Sequence, residues 1–180
     1  MVILIVGIVG GVGATTLATE ILKAGGSAVG LDLADGSLSG CVDRKMYPLD
    51  AAIFARRPRP QIIDEIVAQR PVLLWTLGCQ TAPDTAWGLL REVAQRTSLV
   101  IDGGLNPAEP AWQLADVTLG VTRDGENANV VVHWHEMQLK RAHPHLRLVS
   151  GQLKAAGAAL AAELLPRPTP RWNLSWWKQS

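Results

Sequence analysis

The chain has 180 residues and a mass of 19.3 kDa, enough for one domain of ordinary size. Apolar residues make up 48%, charged residues 18%, and the net charge is +1; this excludes a disordered chain and a broad nucleic-acid-binding surface, which needs a large basic excess. Two cysteines, Cys41 and Cys79, supply neither a disulfide framework nor a four-thiolate zinc site.

Met1–Ile8 is apolar, but no basic segment precedes it and Gly7 interrupts it, which is not the pattern of a secretory signal; no apolar run reaches the length of a membrane span. Val2–Val6 reads instead as a strand covered on both faces. Gly7–Thr16 is a glycine-rich turn. Thr15–Ala24 carries Leu17, Ile21 and Leu22 at helical spacing, and Gly25 and Gly26 stop it. Ala28–Leu33 is a second strand. Leu49–Ala55 and Gln61–Gln69 are short helices separated by the Pro-rich RRPRP. Val72–Leu77 is a strand, Pro83–Arg96 a helix with Trp87, Leu90 and Val93 on one stripe, and Leu99–Ile101 a buried strand ending at Asp102. Val117–Val121, Ala128–Lys140, Leu146–Val149 and Gln152–Leu165 continue as strand, helix, strand and Ala-rich helix. This alternation predicts a doubly wound α/β domain over residues 1–165, its sheet mostly parallel with helices on both faces. Pro166, Pro168 and Pro170 set off a Pro/Trp-rich tail, 166–180.

The informative segment is Gly7–Thr16, GIVGGVGATT, between a predicted strand and a predicted helix. Ligands of open parallel sheets bind at the carboxyl ends of the strands. Glycines there let backbone N–H groups converge on an anion, and the helix N-terminus adds its dipole. Thr15 and Thr16 stand where hydroxyls reach a phosphate or a metal.

The run Gly10-Gly11-Val12-Gly13-Ala14-Thr15-Thr16 resembles the deviant Walker A motif, KGGVGKTT, of ParA/MinD-type ATPases. Asp32 stands where that family has the first aspartate of its switch I, Asp102 where it has the Walker B aspartate, and Ala115-Asp116 with Val117–Val121 resembles a later conserved strand. The resemblance implies a P-loop NTPase fold of ParA/MinD-like type. It further implies ATP or ADP bound by Gly10 to Thr16, Mg²⁺ held by Thr15, Asp32 and Asp102, and catalytic roles for Asp32 and Asp102. The departures are specific. The family's signature lysine is Val9 here, the glycine before it Ile8, and the Walker lysine Ala14. The second switch aspartate falls on Ala34, with Asp35 adjacent, and the asparagine that contacts adenine is not evident near Val149-Ser150-Gly151. An alanine cannot bridge phosphates or stabilise the charge that shifts during transfer. Weak nucleotide binding with little or no hydrolysis is therefore expected, unless Lys45, Arg56, Arg57 or Arg59 substitutes.

A loop with alanine for the lysine resembles the CpaE/TadZ branch, whose members place pilus-assembly and secretion machinery. That resemblance implies a spatial regulator or assembly factor with a protein partner. The wider ParA/MinD resemblance implies a homodimer and, from the position of the tail where MinD-type proteins carry a membrane-targeting helix, peripheral contact at the inner face of the membrane; two cysteines fit a reducing cytoplasm. Two other readings stand beside it. One is a pseudo-ATPase scaffold that binds no nucleotide and works through partners. The other is a short-chain-dehydrogenase-like protein: Gly7, Gly11 and Gly13 fit its GxxxGxG turn, and Asp32 would bind the ribose of NAD. That family needs a Tyr-x-x-x-Lys pair, whereas the one tyrosine, Tyr47, is followed four residues on by Ala51.

His133, His135, His143 and His145 include two HxH pairs, but on a helix His133 and His135 point about 200° apart, and only Glu126 and Glu136 stand near; they read as a solvated helix end. Cys41 and Cys79 read as small buried or half-buried side chains, and Arg56, Arg57 and Arg59 as a solvated loop or a contact for an acidic partner. In the tail, Trp172, Trp176 and Trp177 fall within six residues and suit a protein-partner contact, an interfacial anchor, or a groove of their own domain.

Overall fold

The computed structural model describes residues 1–34, 36–75, 84–122 and 130–165. Asp35, Cys79, Glu126 and the tail tryptophans Trp172, Trp176 and Trp177 lie outside the described residues. The elements in chain order are β1 (Val2–Gly7), α1 (Ala14–Ala24), β2 (Val29–Asp32), α2 (Ser37–Cys41), β3 (Lys45–Pro48), α3 (Leu49–Phe54), α4 (Arg59–Ala68) and β4 (Val72–Trp75). There follow α5 (Asp84–Arg96), β5 (Leu99–Asp102), α6 (Glu109–Leu114), β6 (Val117–Val121), α7 (Val130–Ala142), β7 (Arg147–Val149) and α8 (Leu153–Leu164).

The seven strands form one sheet in the order β3-β4-β2-β5-β1-β6-β7, every pairing parallel. The central strand shows why the sequence folds this way. Val2, Leu4 and Val6 join one core, with α3, α4, α5 and Leu146. Ile3 and Ile5 join the other, with Leu17, Ile21 and Leu22 of α1, Leu38 of α2 and Leu160 of α8. Each face of β1 is thus buried, which is why its sequence is continuously apolar rather than alternating. Burial of each such side chain contributes about 1.5–3 kcal/mol. The doubly wound α/β fold is as expected.

Helix α8 lies along α1 in the same direction. A Cβ on Gly13, at the start of α1, would stand 2.5 Å from Leu153 Cδ1; one on Gly25, at its end, 2.2 Å from Leu165 Cδ1; and one on Gly157 2.6 Å from Glu20 Cβ. Absent side chains let the two backbones approach. At its C-terminus α1 is closed by the Gly25 N–H on Ile21 O, and the Arg44 guanidinium donates to Leu22 O, Gly26 O and Ala28 O. That placement suits a cation at a helix C-terminus, although burial lowers the Arg44 pKa.

The hydrophobic pattern does not disclose three short elements, because each buries one side chain only: Leu38 in α2, Tyr47 in β3 and Ala111 in α6. Periodicity needs at least two turns or two inward residues to be visible. Elsewhere the bounds differ by one to two residues, as at helix ends generally. Residues 76, 77, 83, 128 and 129, expected within elements, lie outside the described residues. Among the described residues, no helix is long and apolar enough to cross a membrane.

Candidate functional site

The glycine loop leaves β1 at the carboxyl edge of the sheet. The Gly7 N–H donates to Gly104 O at 2.8 Å and the Ile8 N–H to Val121 O at 2.9 Å, so its start is tied to the segments that leave β5 and β6. Gly11 has φ 70° and Gly13 φ 96°, left-handed values that favour glycine. Gly13 caps α1 without a side-chain hydrogen bond. The first-turn amides of α1 therefore have no side-chain cap, the condition under which a helix start attracts an anion. A cleft of about 400 Å³ opens here, lined by Gly7, residues 9–15, Ala34, Gly104 and Leu105. No charged side chain is among these lining residues.

Two carboxylates accept from the amides of Ala34 and Gly104, which line the cleft. Asp32 and Asp102 end β2 and β5 and are partners in register. Asp32 is buried and turned to its own loop: Oδ1 accepts from Ala34 N at 3.0 Å and Gly36 N at 3.4 Å, and Oδ2 from Leu38 N at 3.0 Å. It organises the start of α2. Asp102 is fully buried and its Oδ1 accepts from Gly104 N at 3.3 Å. The Thr15 hydroxyl lies 3.2 Å from the Ser37 hydroxyl at the start of α2, and Thr16 is exposed. Thr15, Ala14 and the glycines thus share one cleft, with Asp32 and Asp102 at neighbouring strand ends. Sequence reasoning missed Ser37, Gly104 and Leu105; the signal was only that two further loops, after β2 and β5, must end at the same sheet edge.

The strand order settles which glycine turn this is. In the dinucleotide-binding arrangement β1 and β2 are neighbours; here β5 lies between them. The short-chain-dehydrogenase reading is corrected on this ground, and Tyr47 stands on β3, four strands from β1. A chain of the MinC:MinD cell division protein complex of Aquifex aeolicus matches with a TM-score of 0.58 and 19% identity, over 91% of this chain and 77% of that one. The MinD cell division protein of the same organism matches with a TM-score of 0.54 and 20% identity, over 87% and 72%. The chain has the MinD fold. No protein-family model and no curated protein matches the sequence.

Against the MinD fold, the remaining candidates fall away from the cleft. Lys45 begins β3, at the amino edge, four inter-strand steps of about 4.8 Å from β1. Arg57 is paired with Glu65 and donates to the Tyr47 hydroxyl at 3.5 Å, while Tyr47 donates to Glu65 Oε2 at 3.1 Å. The Arg57 hydrogen bond, and then that of Tyr47, holds the Glu65 carboxyl below its ordinary range, and burial with Glu65 alongside pushes the Tyr47 phenol up. Arg59 pairs with Glu92 at 3.0 Å. The Arg cluster is thus partly spent on internal ion pairs rather than standing as an open basic loop. Asp116 accepts the Val2 N–H at 2.7 Å at the amino edge, a structural role away from the cleft. His133 is exposed, 3.8 Å from Glu136, and the His143 ring stacks on Trp112 with centroids 3.6 Å apart. Among the described residues no group of three metal-ligating side chains forms. Cys41 is exposed at the end of α2, not buried as expected, because the one inward position of that helix is taken by Leu38.

Proposed function

We propose that this chain is a degenerate ParA/MinD-like nucleotide-binding protein that binds ATP or ADP weakly and hydrolyses it little or not at all. The observation that carries the reading is the glycine loop itself: uncapped amides at the start of α1 facing an open cleft, with two carboxylates at the adjoining strand ends, in the MinD fold. Backbone N–H groups of Gly10 to Thr16 supply the phosphate contacts.

The residues present suit Mg²⁺, a hard cation that takes oxygen donors and keeps several waters and phosphate oxygens. The Thr15 hydroxyl and the Asp32 and Asp102 carboxylates are the oxygen donors at this edge; Asp32 also accepts three amides and holds the loop that carries Ser37. The metal, when bound, neutralises phosphate charge. With Ala14 in place of a lysine, the charge that moves during phosphoryl transfer lacks a side-chain partner, an omission that typically costs about 2–4 kcal/mol in barrier height.

At the coarser biological level, the chain acts as a spatial regulator or assembly factor for a pilus- or secretion-type machine, in the cytoplasm and peripherally at the membrane, with a protein partner engaged through Trp172, Trp176 and Trp177. The likeness of Gly10–Thr16 to the CpaE/TadZ loop supports this part. A second reading, a scaffold without nucleotide, is favoured by one observation: no charged side chain is among the described residues that line the cleft. Calorimetry with ATP–Mg²⁺, ADP–Mg²⁺ and NAD separates the readings. Heat from either adenine nucleotide with none from NAD is expected; silence for all three establishes the scaffold. Turnover above that of a Thr15→Ala, Asp102→Ala double variant would overturn impaired hydrolysis.

A further inference from the structure

Helix α3 is apolar on its outer side. Leu49, Asp50 and Ala52 are buried. Ala51 and Phe54 of the helix and Ala55 at its end share a face by their spacing and are exposed, Phe54 by 77%. A surface helix ordinarily carries polar side chains on the side away from the core. The end of α3 is unusual as well. The Arg57 N–H donates to Ala52 O at 3.4 Å and the Arg56 N–H to Ile53 O at 2.9 Å. These are the two bonds of a Schellman turn, whose left-handed position is usually glycine. Here that position is held by Arg56 at φ 51°, the one non-glycine residue with positive φ among the described residues. Glycine would suit this backbone better; the chain instead keeps an exposed guanidinium two residues on from Phe54. The arginines that follow are paired, Arg57 with Glu65 and Arg59 with Glu92.

We propose that the outer side of α3 and Arg56 form a docking surface for an acidic, apolar segment of a partner protein. A bulky apolar side chain of that segment packs on Phe54, Ala51 and Ala55, and an adjoining aspartate or glutamate accepts from the Arg56 guanidinium, a charge-assisted contact. The surrounding charge selects a peptide over a bilayer. Asp64 and Glu65 stand on α4 and Glu92 on α5, all three at least partly exposed, and α5 packs against both α3 and α4. An anionic lipid plane meets those carboxylates together with Arg56 and is repelled by them. A peptide chain is narrow enough to meet Arg56 alone. The surface shares no residue with the glycine-loop cleft and needs no nucleotide.

Two probes test this on the full chain. One is a synthetic peptide that alternates Asp with Leu, read by fluorescence anisotropy; the other is vesicles of phosphatidylcholine and phosphatidylserine in equal parts, read by sedimentation. The Asp-Leu peptide is expected to bind, and its counterpart with Asn for Asp to bind about tenfold more weakly or less. Phe54→Ser and Arg56→Gly are each expected to weaken the Asp-Leu peptide by about tenfold. Arg56→Gly also separates contact from structure: glycine suits the left-handed position, so the urea midpoint of this variant should stay at or above that of the wild type. A midpoint below it would make Arg56 a structural residue and overturn its part in the contact. Absence of peptide binding, or peptide affinity unchanged in both variants, overturns the docking surface. Vesicle binding that both variants lose overturns it too, and assigns the face to lipid.

Discussion

Asp32 and Asp102 stand side by side, in register across β2 and β5, yet their carboxylates do different work. Both oxygens of Asp32 are taken by amides of the loop that begins α2, whereas Asp102 accepts from Gly104 in the loop after β5. Two aspartates that read alike along the chain are thus set into different hydrogen-bonding arrangements.

This division is measurable. Asp32→Ala leaves the amides of Ala34, Gly36 and Leu38 without their acceptor, and a buried donor left unsatisfied costs about 1–3 kcal/mol. Urea unfolding is expected to show that loss for Asp32→Ala without Mg²⁺ or nucleotide. Asp102→Asn keeps an acceptor for Gly104, and Mg²⁺-dependent nucleotide binding is expected to weaken. Unchanged Mg²⁺-dependent binding in this variant would remove Asp102 from the metal site.

The contact of α8 with α1 depends on missing side chains. Gly157→Ala places a Cβ 2.6 Å from Glu20 Cβ, an overpacking expected to cost about 1–3 kcal/mol in chemical denaturation. Gly13→Ala meets Leu153 Cδ1 at 2.5 Å and must also adopt φ 96°; it should destabilise the fold and, unlike Gly157→Ala, weaken nucleotide binding directly.

Because Leu153 stands at Gly13 and Leu165 at Gly25, the chain leaves α8 at the end of α1 remote from the glycine loop, about 17 Å along the helix axis. Truncation after Pro170 is expected to leave ADP affinity within about twofold, since the proposed nucleotide and metal contacts all lie between Gly10 and Asp102. Calorimetry on the truncated chain checks this, and a large loss of affinity would mean that the tail reaches the cleft.

Acid should weaken the Glu65–Arg57–Tyr47 arrangement. Hydrogen bonding to Arg57 lowers the Glu65 pKa in the folded chain. A carboxyl so depressed stabilises the fold above its ordinary value of 4.5, and that contribution is lost as pH falls through the lower folded value. The urea midpoint of Glu65→Gln should lie below that of the wild type at pH 7 and approach it at pH 3. A gap that stays constant between the two pH values would contradict the assignment.

Much of the fold was legible in the chain because its strands are buried on both faces. VILIV and LVID can only be covered strands, and the glycine turn between β1 and α1 marks the ligand edge. What was not legible had one inward residue, as in α2, β3 and α6, or depended on neighbours distant in sequence.

By itself the sequence determined the alternating elements, the glycine loop at a strand end and the alanine in place of a lysine, since these follow from local periodicity and residue identity. Only the tertiary structure decided that β5 separates β1 from β2, that Asp32 and Asp102 are neighbours, that Asp32 is committed to its own loop, and that Leu105 and Ala34 line the cleft. Strand order and cleft composition are set by which residues far apart in the chain pack together, and no local pattern carries that information.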